Sequence, residues 1–319
     1  MRSAPREYGS RFVVYAALVG NLLIAVSKFV AAIIGRSSAM LSEGVHSLVD
    51  TTNELLLLYG LHRAGKPPDR MHPFGHGREL YFWNFIVALL VFALGAGVSL
   101  YEGVSHIRNP EPVKDPKLNY IVLAVAFVLE GSTWLISRKK VRASKGNVGY
   151  LESFRRSKDP SVFTVLFEDS AALLGLLIAA LGILSADLLN DPRLDGVASI
   201  GIALVLATIS ILLARETKGL LIGEPADPRL HRAILATASA APGVHHVNAV
   251  LTSQLGPRQV VASVSAEFDD SLSTPDVEAS VDSIECEVRR EHPEVVAIFV
   301  RPETMERWEA RMAEFRQHS

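Results

Sequence analysis

The sequence predicts an α-helical membrane protein with six transmembrane helices, followed by a C-terminal cytoplasmic α+β domain of αββαβ order. Three observations carry this: long apolar stretches confined to roughly the first two thirds, basic residues crowded into alternate connections, and a final third patterned like a soluble domain. Of 319 residues, 49% are apolar, and the formal net charge is only −2. Such a chain is neither disordered nor built to coat nucleic acid. The single cysteine, Cys286, permits no internal disulfide and no thiolate cluster, which suits a reducing compartment for the soluble part. The apolar run behind "MRSAPREYGSR" is long enough to stay in the bilayer rather than be cleaved as a leader.

Six stretches approach the roughly 20 residues that cross about 30 Å of hydrocarbon. They lie at about 12–35, 38–61, 79–106, 117–137, 160–185 and 194–214. Several carry polar residues, so a bundle with a polar interior is expected rather than six lipid-facing anchors. Arg2, Arg6 and Arg11 precede the first span, and Arg63, Lys66, Arg70 and Arg78 separate the second and third. Arg138, Lys139, Lys140, Arg142, Lys145, Arg155, Arg156 and Lys158 crowd the connection between the fourth and fifth. The other side holds only Arg36, Arg108, Lys114, Lys117 and Arg193, so both termini are expected in the cytoplasm.

After Arg215 the composition changes. A helix from Asp227 to about Ala241, strands near Val247–Thr252 and Val260–Phe268, a helix near Pro275–Glu291 and a strand near Val295–Arg301 suit a small two-layer domain with its helices on one face. The tail "ETMERWEARMAEFRQHS" reads as one more amphipathic helix. The expected organisation is a cytoplasmic segment 1–11, a six-helix membrane domain 12–216 and a cytoplasmic domain 217–319.

The second span contains "SEGVHSLVD". His46 and Asp50 are four apart, so on a helix they share a face about 6 Å apart along the axis, with Glu43 and Asn53 near the same stripe. The fifth span contains "VLFEDSAALLG", with Glu168 and Asp169 inside another apolar run. Counted from the cytoplasmic ends at about 1.5 Å per residue, Asp50 and Asp169 both lie about 13 to 17 Å deep. Two bare carboxylates there repel each other and cost several kcal/mol, so they need protons or a cation. A divalent metal held by an imidazole and carboxylates answers that need. The alternative is that these groups pair with Lys28 or hydrogen-bond between helices. Lys28, Glu54, Glu102 and Glu130 read as neutralising pairs or interfacial groups, and Asn21 as an interhelical hydrogen-bonding residue.

The stretches "NLLIAVSKFVAAIIGRSSAMLSEGVHSLVDTTNELLLLYGL" and "HPFGHGRELYFW", with six spans and an αββαβ domain, resemble the cation diffusion facilitator family of proton-coupled zinc transporters over about Arg11–Glu303. The resemblance implies a ferredoxin-like cytoplasmic domain and a tetrahedral metal site shared by an HxxxD pair on the second span and another on the fifth. His46 and Asp50 match the first pair, and Asp169 the end of the second. The remaining position is Val165, which cannot bind metal. The fourth place falls to water, Asn53 or Glu168, and Glu168, about 100° from Asp169 around the helix, is expected to need a rotation or local distortion to join it. Zinc is the expected ion, with an oxygen-richer site softening discrimination against manganese or ferrous iron.

Asp69, His72 and His76 in "DRMHPFGHG" match an accessory zinc site of some family members, although Pro73 and Gly75 argue for a turn rather than a helix. The alternative is a membrane-surface loop whose histidines cap helices. In the cytoplasmic domain, positions that hold metals in zinc-sensing relatives read Ser265 and Val300. His245 and His246 stand at a strand start, and Cys286 is expected to pack within a helix. The domain is therefore expected to form a homodimer without a binuclear metal cluster. The resemblance implies metal–proton antiport out of the cytoplasm by alternating access, in a bacterial inner membrane, with lipid and a second copy as partners and no nucleic acid. A membrane-embedded metal sensor or scaffold is the alternative. No HExxH, GxSxG or phosphate-cradling glycine loop is present, so an enzyme is not expected.

Overall fold

A computed structural model of the chain describes residues 7–114, 116–145, 149 and 158–317. Arg2, Arg6, Arg155 and Arg156 of the basic connections, and the first six residues of the expected N-terminal segment, lie outside them. The described chain divides into two compact units. One takes in the chain up to Leu61, the stretch from Phe82 and Pro160–Thr217; the other takes in His62–Tyr81 and the chain from Lys218.

Among the described residues the first unit is built from six long helices: α1 (Glu7–Gly35), α2 (Ser38–Ala64), α3 (Arg78–Arg108), α4 (Pro116–Lys145), α5 (Pro160–Leu189) and α6 (Arg193–Ile222). Five of them, α1 and α3 to α6, are long and apolar enough to cross a membrane. In α2 the polarity is turned inward. Glu43, His46 and Asn53 are buried while Leu48, Leu55 and Leu58 are exposed, so its polar face is turned to the other helices and its apolar face away from them.

Most of the helices outrun the apolar stretches because their polar ends are good helix formers. α6 continues through "RETKGLLI", past the change of composition at Arg215, and stops where Gly223 takes φ of +125°. α3 widens to a π turn over Val91–Ala96, where Gly97 N–H donates to Phe92 O. Below that turn α3 meets α6 glycine to glycine: a Cβ on Gly103 would stand 2.7 Å from the Gly196 carbonyl oxygen. Backbones that close require small residues on both helices. Asp195 on α6 is completely buried and caps α2. It accepts from Ser37 Oγ at 2.7 Å, Ser38 N at 2.5 Å and Ala39 N at 3.3 Å.

The second unit holds α7 (Pro228–Ser239), β1 (Val244–Gly256), β2 (Gln259–Phe268), α8 (Thr274–Glu291), β3 (Val295–Pro302) and α9 (Met305–Gln317). Strand order is β1-β2-β3, with β1 and β2 antiparallel and β2 and β3 parallel across α8. Asp227 starts α7 by accepting from Arg229 N at 2.7 Å. Leu230, Ile234 and Ala238 of α7 and Ile284 and Val288 of α8 share one core with Val260, Ala262 and Val264 of β2. Each fully buried Ile contributes about 2 kcal/mol. That core, rather than helix propensity, stabilises the domain.

Cys286 does not pack: it is exposed. The buried stripe of α8 runs through Ser280, Ile284 and Val288 at four-residue spacing, and Cys286, two residues from Ile284, points to the opposite side. Glu303 is the polar anchor of α9. It is bonded to Ser265 Oγ at 2.8 Å and to Arg311, and Asn248 Nδ2 reaches its carbonyl at 2.9 Å. The segment His62–Tyr81 belongs to this unit as well, with Phe74 edge-on to Phe299 of β3 at 6.3 Å between ring centroids.

Candidate metal centre

One turn of α2 brings His46 Nδ1 within 3.3 Å of Asp50 Oδ1. Neither atom has a hydrogen-bond partner, and His46, only 1% exposed, has none at Nε2 either. Polar atoms buried without partners are rare, because each costs on the order of 1–3 kcal/mol. Asp50 opens into a cleft of about 220 Å³ that it lines together with Glu54, Glu130, Ser137, Glu168 and Asp169. The acids of α2 and α5 thus share one cavity. Val165, at the position expected to lack a ligand, is on its wall.

Glu168 reaches the same cleft as Asp169 while α5 runs unbroken from Pro160 to Leu189. Asn53 Nδ2 donates to Glu168 Oε1 at 2.9 Å, which leaves Asn53 Oδ1 unpartnered. Ser137 Oγ on α4 donates to Asp169 Oδ2 at 2.9 Å. The cleft is lined by carboxylate and hydroxyl oxygens, and the His46 imidazole does not line it but lies next to Asp50; oxygen donors with an imidazole at their back fit a borderline or hard dication. Loading of such an ion would draw the cleft side chains inward.

The loop residues are already convergent. Among the described residues, Asp69, His72 and His76 are the group of His, Cys, Asp and Glu whose ligand atoms lie within 4.8 Å of one another. The segment is a turn with Gly75 at φ of +88°, not a helix. Asp69 Oδ1 accepts from His72 N at 2.7 Å and Met71 N at 2.9 Å, while its Oδ2 lies 3.1 Å from His76 Nε2. The backbone N–H of His72, above the other donors, holds the Asp69 carboxyl at about 2. It is therefore a carboxylate at any working pH, and His76 Nδ1 is buried and unpartnered beside it.

Lys28 and Glu130 form the neutralising pair expected of them, whereas Ser47 and Ser137 carry more of the site than the sequence indicated. Lys28 is fully buried and bonded to Glu43, Ser47 and Glu130, so Glu43 does not join the stripe that serves His46 and Asp50. Asn21 donates to Glu54 Oε1 at 2.7 Å, tying α1 to α2. A lysine four turns into an apolar helix signals a buried counter-ion, but spacing within one helix does not name partners on two others.

Residues 14–222 match the cation efflux transmembrane domain. The chain is 32% identical over 265 residues to the mitochondrial proton-coupled zinc antiporter SLC30A9 of Mus musculus, covering 82% of this chain and 47% of that protein. It is 22% identical over 304 residues to the manganese efflux system protein MneP of Bacillus subtilis, covering 93% and 97% of the two chains. To the cation-efflux pump FieF of Shigella flexneri it is 24% identical over 303 residues, with 90% and 91% covered. The chain spans about half the length of the zinc antiporters it matches.

Proposed function

Because the chain belongs to the cation efflux family, whose members are transporters rather than enzymes, we propose that it exchanges a divalent metal ion for protons across its membrane. The observation that carries the reading is the shared cleft: Asp50 of α2 and Glu168 and Asp169 of α5 face one space, beside an imidazole next to Asp50 whose nitrogens make no hydrogen bond. The cargo is held by His46, Asp50 and Asp169, with Glu168 or Asn53 completing the set. A metal arriving from the cytoplasm displaces protons from these groups, the bundle rocks, and protons from the far side compete the metal off. Zinc is the first choice, supported by the named zinc antiporters. The carboxylate-rich set and the manganese exporter support manganese as a second cargo, with ferrous iron sharing the same donors.

The reading includes α2 as the sixth span, both termini on the cytoplasmic side, and the αββαβ domain as a ferredoxin-like module through which two copies associate. Named relatives come from mitochondria and from bacteria, and the scheme applies to either membrane, a bacterial inner membrane included, with metal taken from the side of the αββαβ domain.

Purified protein in vesicles carrying a pH-sensitive dye tests this directly. Zinc uptake accompanied by counter-movement of protons is expected, with manganese next in rate. Metal binding with no flux of any divalent ion would instead identify a sensor. Asp69, His72 and His76 form an accessory site in this reading. The pair His72→Ala and His76→Ala is expected to remove one bound zinc per chain, counted by elemental analysis, with exchange retained. An unchanged zinc count would remove the loop from the account.

A further inference from the structure

Lys28 of α1 is an ammonium with a complete oxygen shell. Its Nζ lies 3.0 Å from Glu43 Oε2, 2.8 Å from Ser47 Oγ and 2.8 Å from Glu130 Oε1. Three protons meet three acceptors, drawn from α2 and α4. The shell is over-supplied with negative charge, since one cation faces two carboxylates. Glu43 Oε1 and Glu130 Oε2 have no partner, and Glu43 is 0% exposed. A space is kept for the unpartnered Glu43 oxygen on α5, where a Cβ on Gly175 would collide with it. Three residues along α2, His46 offers two further unpartnered nitrogens. Buried carboxylates in this number favour a cation beyond the one present.

The geometry continues into the cleft. Glu130 and Ser47 line it with Asp50 and Asp169, whereas Lys28 is sealed behind them. Glu43 precedes Asp50 by seven residues, about 10 Å along α2, on the side away from its Ala64 end. The bundle therefore has an open cation position between Asp50 and Asp169 and, deeper, a filled one at Lys28.

We propose that Glu43, Ser47 and Glu130 form a second cation subsite, held at rest by the tethered Lys28 ammonium, which the transported dication occupies after leaving Asp50 and Asp169. The proposal rests on the transport reading above. Glu130 is the hand-over residue, with one oxygen on the ammonium and the other free for the metal. A dication attracts it more strongly than the ammonium does, so Glu130 turns from Lys28 to the metal as the floor of the cleft opens. Lys28 cannot leave with the cargo. It retakes Glu130 when the metal departs and so closes the floor again.

The test uses full-length protein carrying His72→Ala and His76→Ala, so that the loop does not contribute to the zinc count. Lys28→Met removes the tethered cation and keeps the unbranched chain up to the position of Cε. It is expected to bind one more zinc per chain at equilibrium and to lose at least about tenfold in maximal exchange rate with KM for zinc within about twofold. Lys28→Arg is expected to restore the original zinc count. Should Lys28→Met not fold, Glu130→Gln retains the Lys28–Glu43 pair and is expected to bind zinc as tightly as the parent while losing the same maximal rate. A parent zinc count and rate in Lys28→Met, or a parent rate in Glu130→Gln, overturns the subsite. If the parent exchanges zinc while Glu130→Gln matches it, the subsite alone is wrong. If the parent does not exchange at all, the transport reading fails with it.

Discussion

Asp50→Ala and Asp169→Ala are each expected to abolish metal-for-proton exchange in vesicles while the protein still folds. Neither carboxylate is a strut. Asp50 Oδ1 has no hydrogen-bond partner, and Asp169 accepts one side-chain hydrogen bond among the described residues, from Ser137 Oγ. Removing either acid deletes a group whose burial costs several kcal/mol when ionised, so stability is expected to hold or rise. Function is expected to go the other way, because in the proposed site each aspartate contributes a whole metal–oxygen bond. Loss of an outer-shell partner alone costs roughly 10–100-fold in affinity or activity, and loss of a ligand is expected to cost about a hundredfold or more. Zinc flux with a wild-type elution profile as the folding control is the measurement. Flux at the wild-type rate in both variants would reject the assigned cleft.

Asp195→Ala is expected to do the reverse, costing stability first. Its carboxylate serves the two leading N–H groups of α2 and the Ser37 hydroxyl, and it lies 3.8 Å from His106 Nε2 with no exposure to water. A helix cap is worth about 1 kcal/mol, and charge-assisted bonds in a buried setting raise the loss to about 2–4 kcal/mol. The thermal unfolding midpoint in detergent should fall by several degrees, and Asp195→Asn, which keeps an acceptor, should lose less. An unchanged midpoint in Asp195→Ala would show that α2 does not depend on this cap. The consequence reaches the cleft, because the capped end sets the register of the helix that carries His46 and Asp50.

The contrast between these residues shows where sequence reasoning works. The proximity of His46 and Asp50 was legible because a four-residue spacing acts within one helix, and their ionisable groups interrupt an apolar run. That Asp169 faces the same space as Asp50 was legible for the second reason and by depth. Asp195 was not: an acid in the first turn reads as a partner for its own helix, whereas here it serves α2, some 150 residues earlier. The Lys28 cluster joins α1, α2 and α4, and no periodicity connects three helices. Ser137 escaped because a lone serine in a span commonly bonds its own backbone, as Ser132 does to Leu129 O. In the αββαβ domain the described helices and strands were legible in order from helical periodicity and strand alternation. Cys286 was misplaced because the stripe of α8 starts from the small polar Ser280, which weakens the apolar signal that fixes its phase.

The central claim is that one dication sits between carboxylates of α2 and α5. Anomalous diffraction at the zinc edge from zinc-loaded protein carrying His72→Ala and His76→Ala tests it most directly. A peak bounded by Asp50 and Asp169, with His46 turned towards it, is expected. A bundle with no peak in that cleft, in protein that still exchanges zinc, would contradict it.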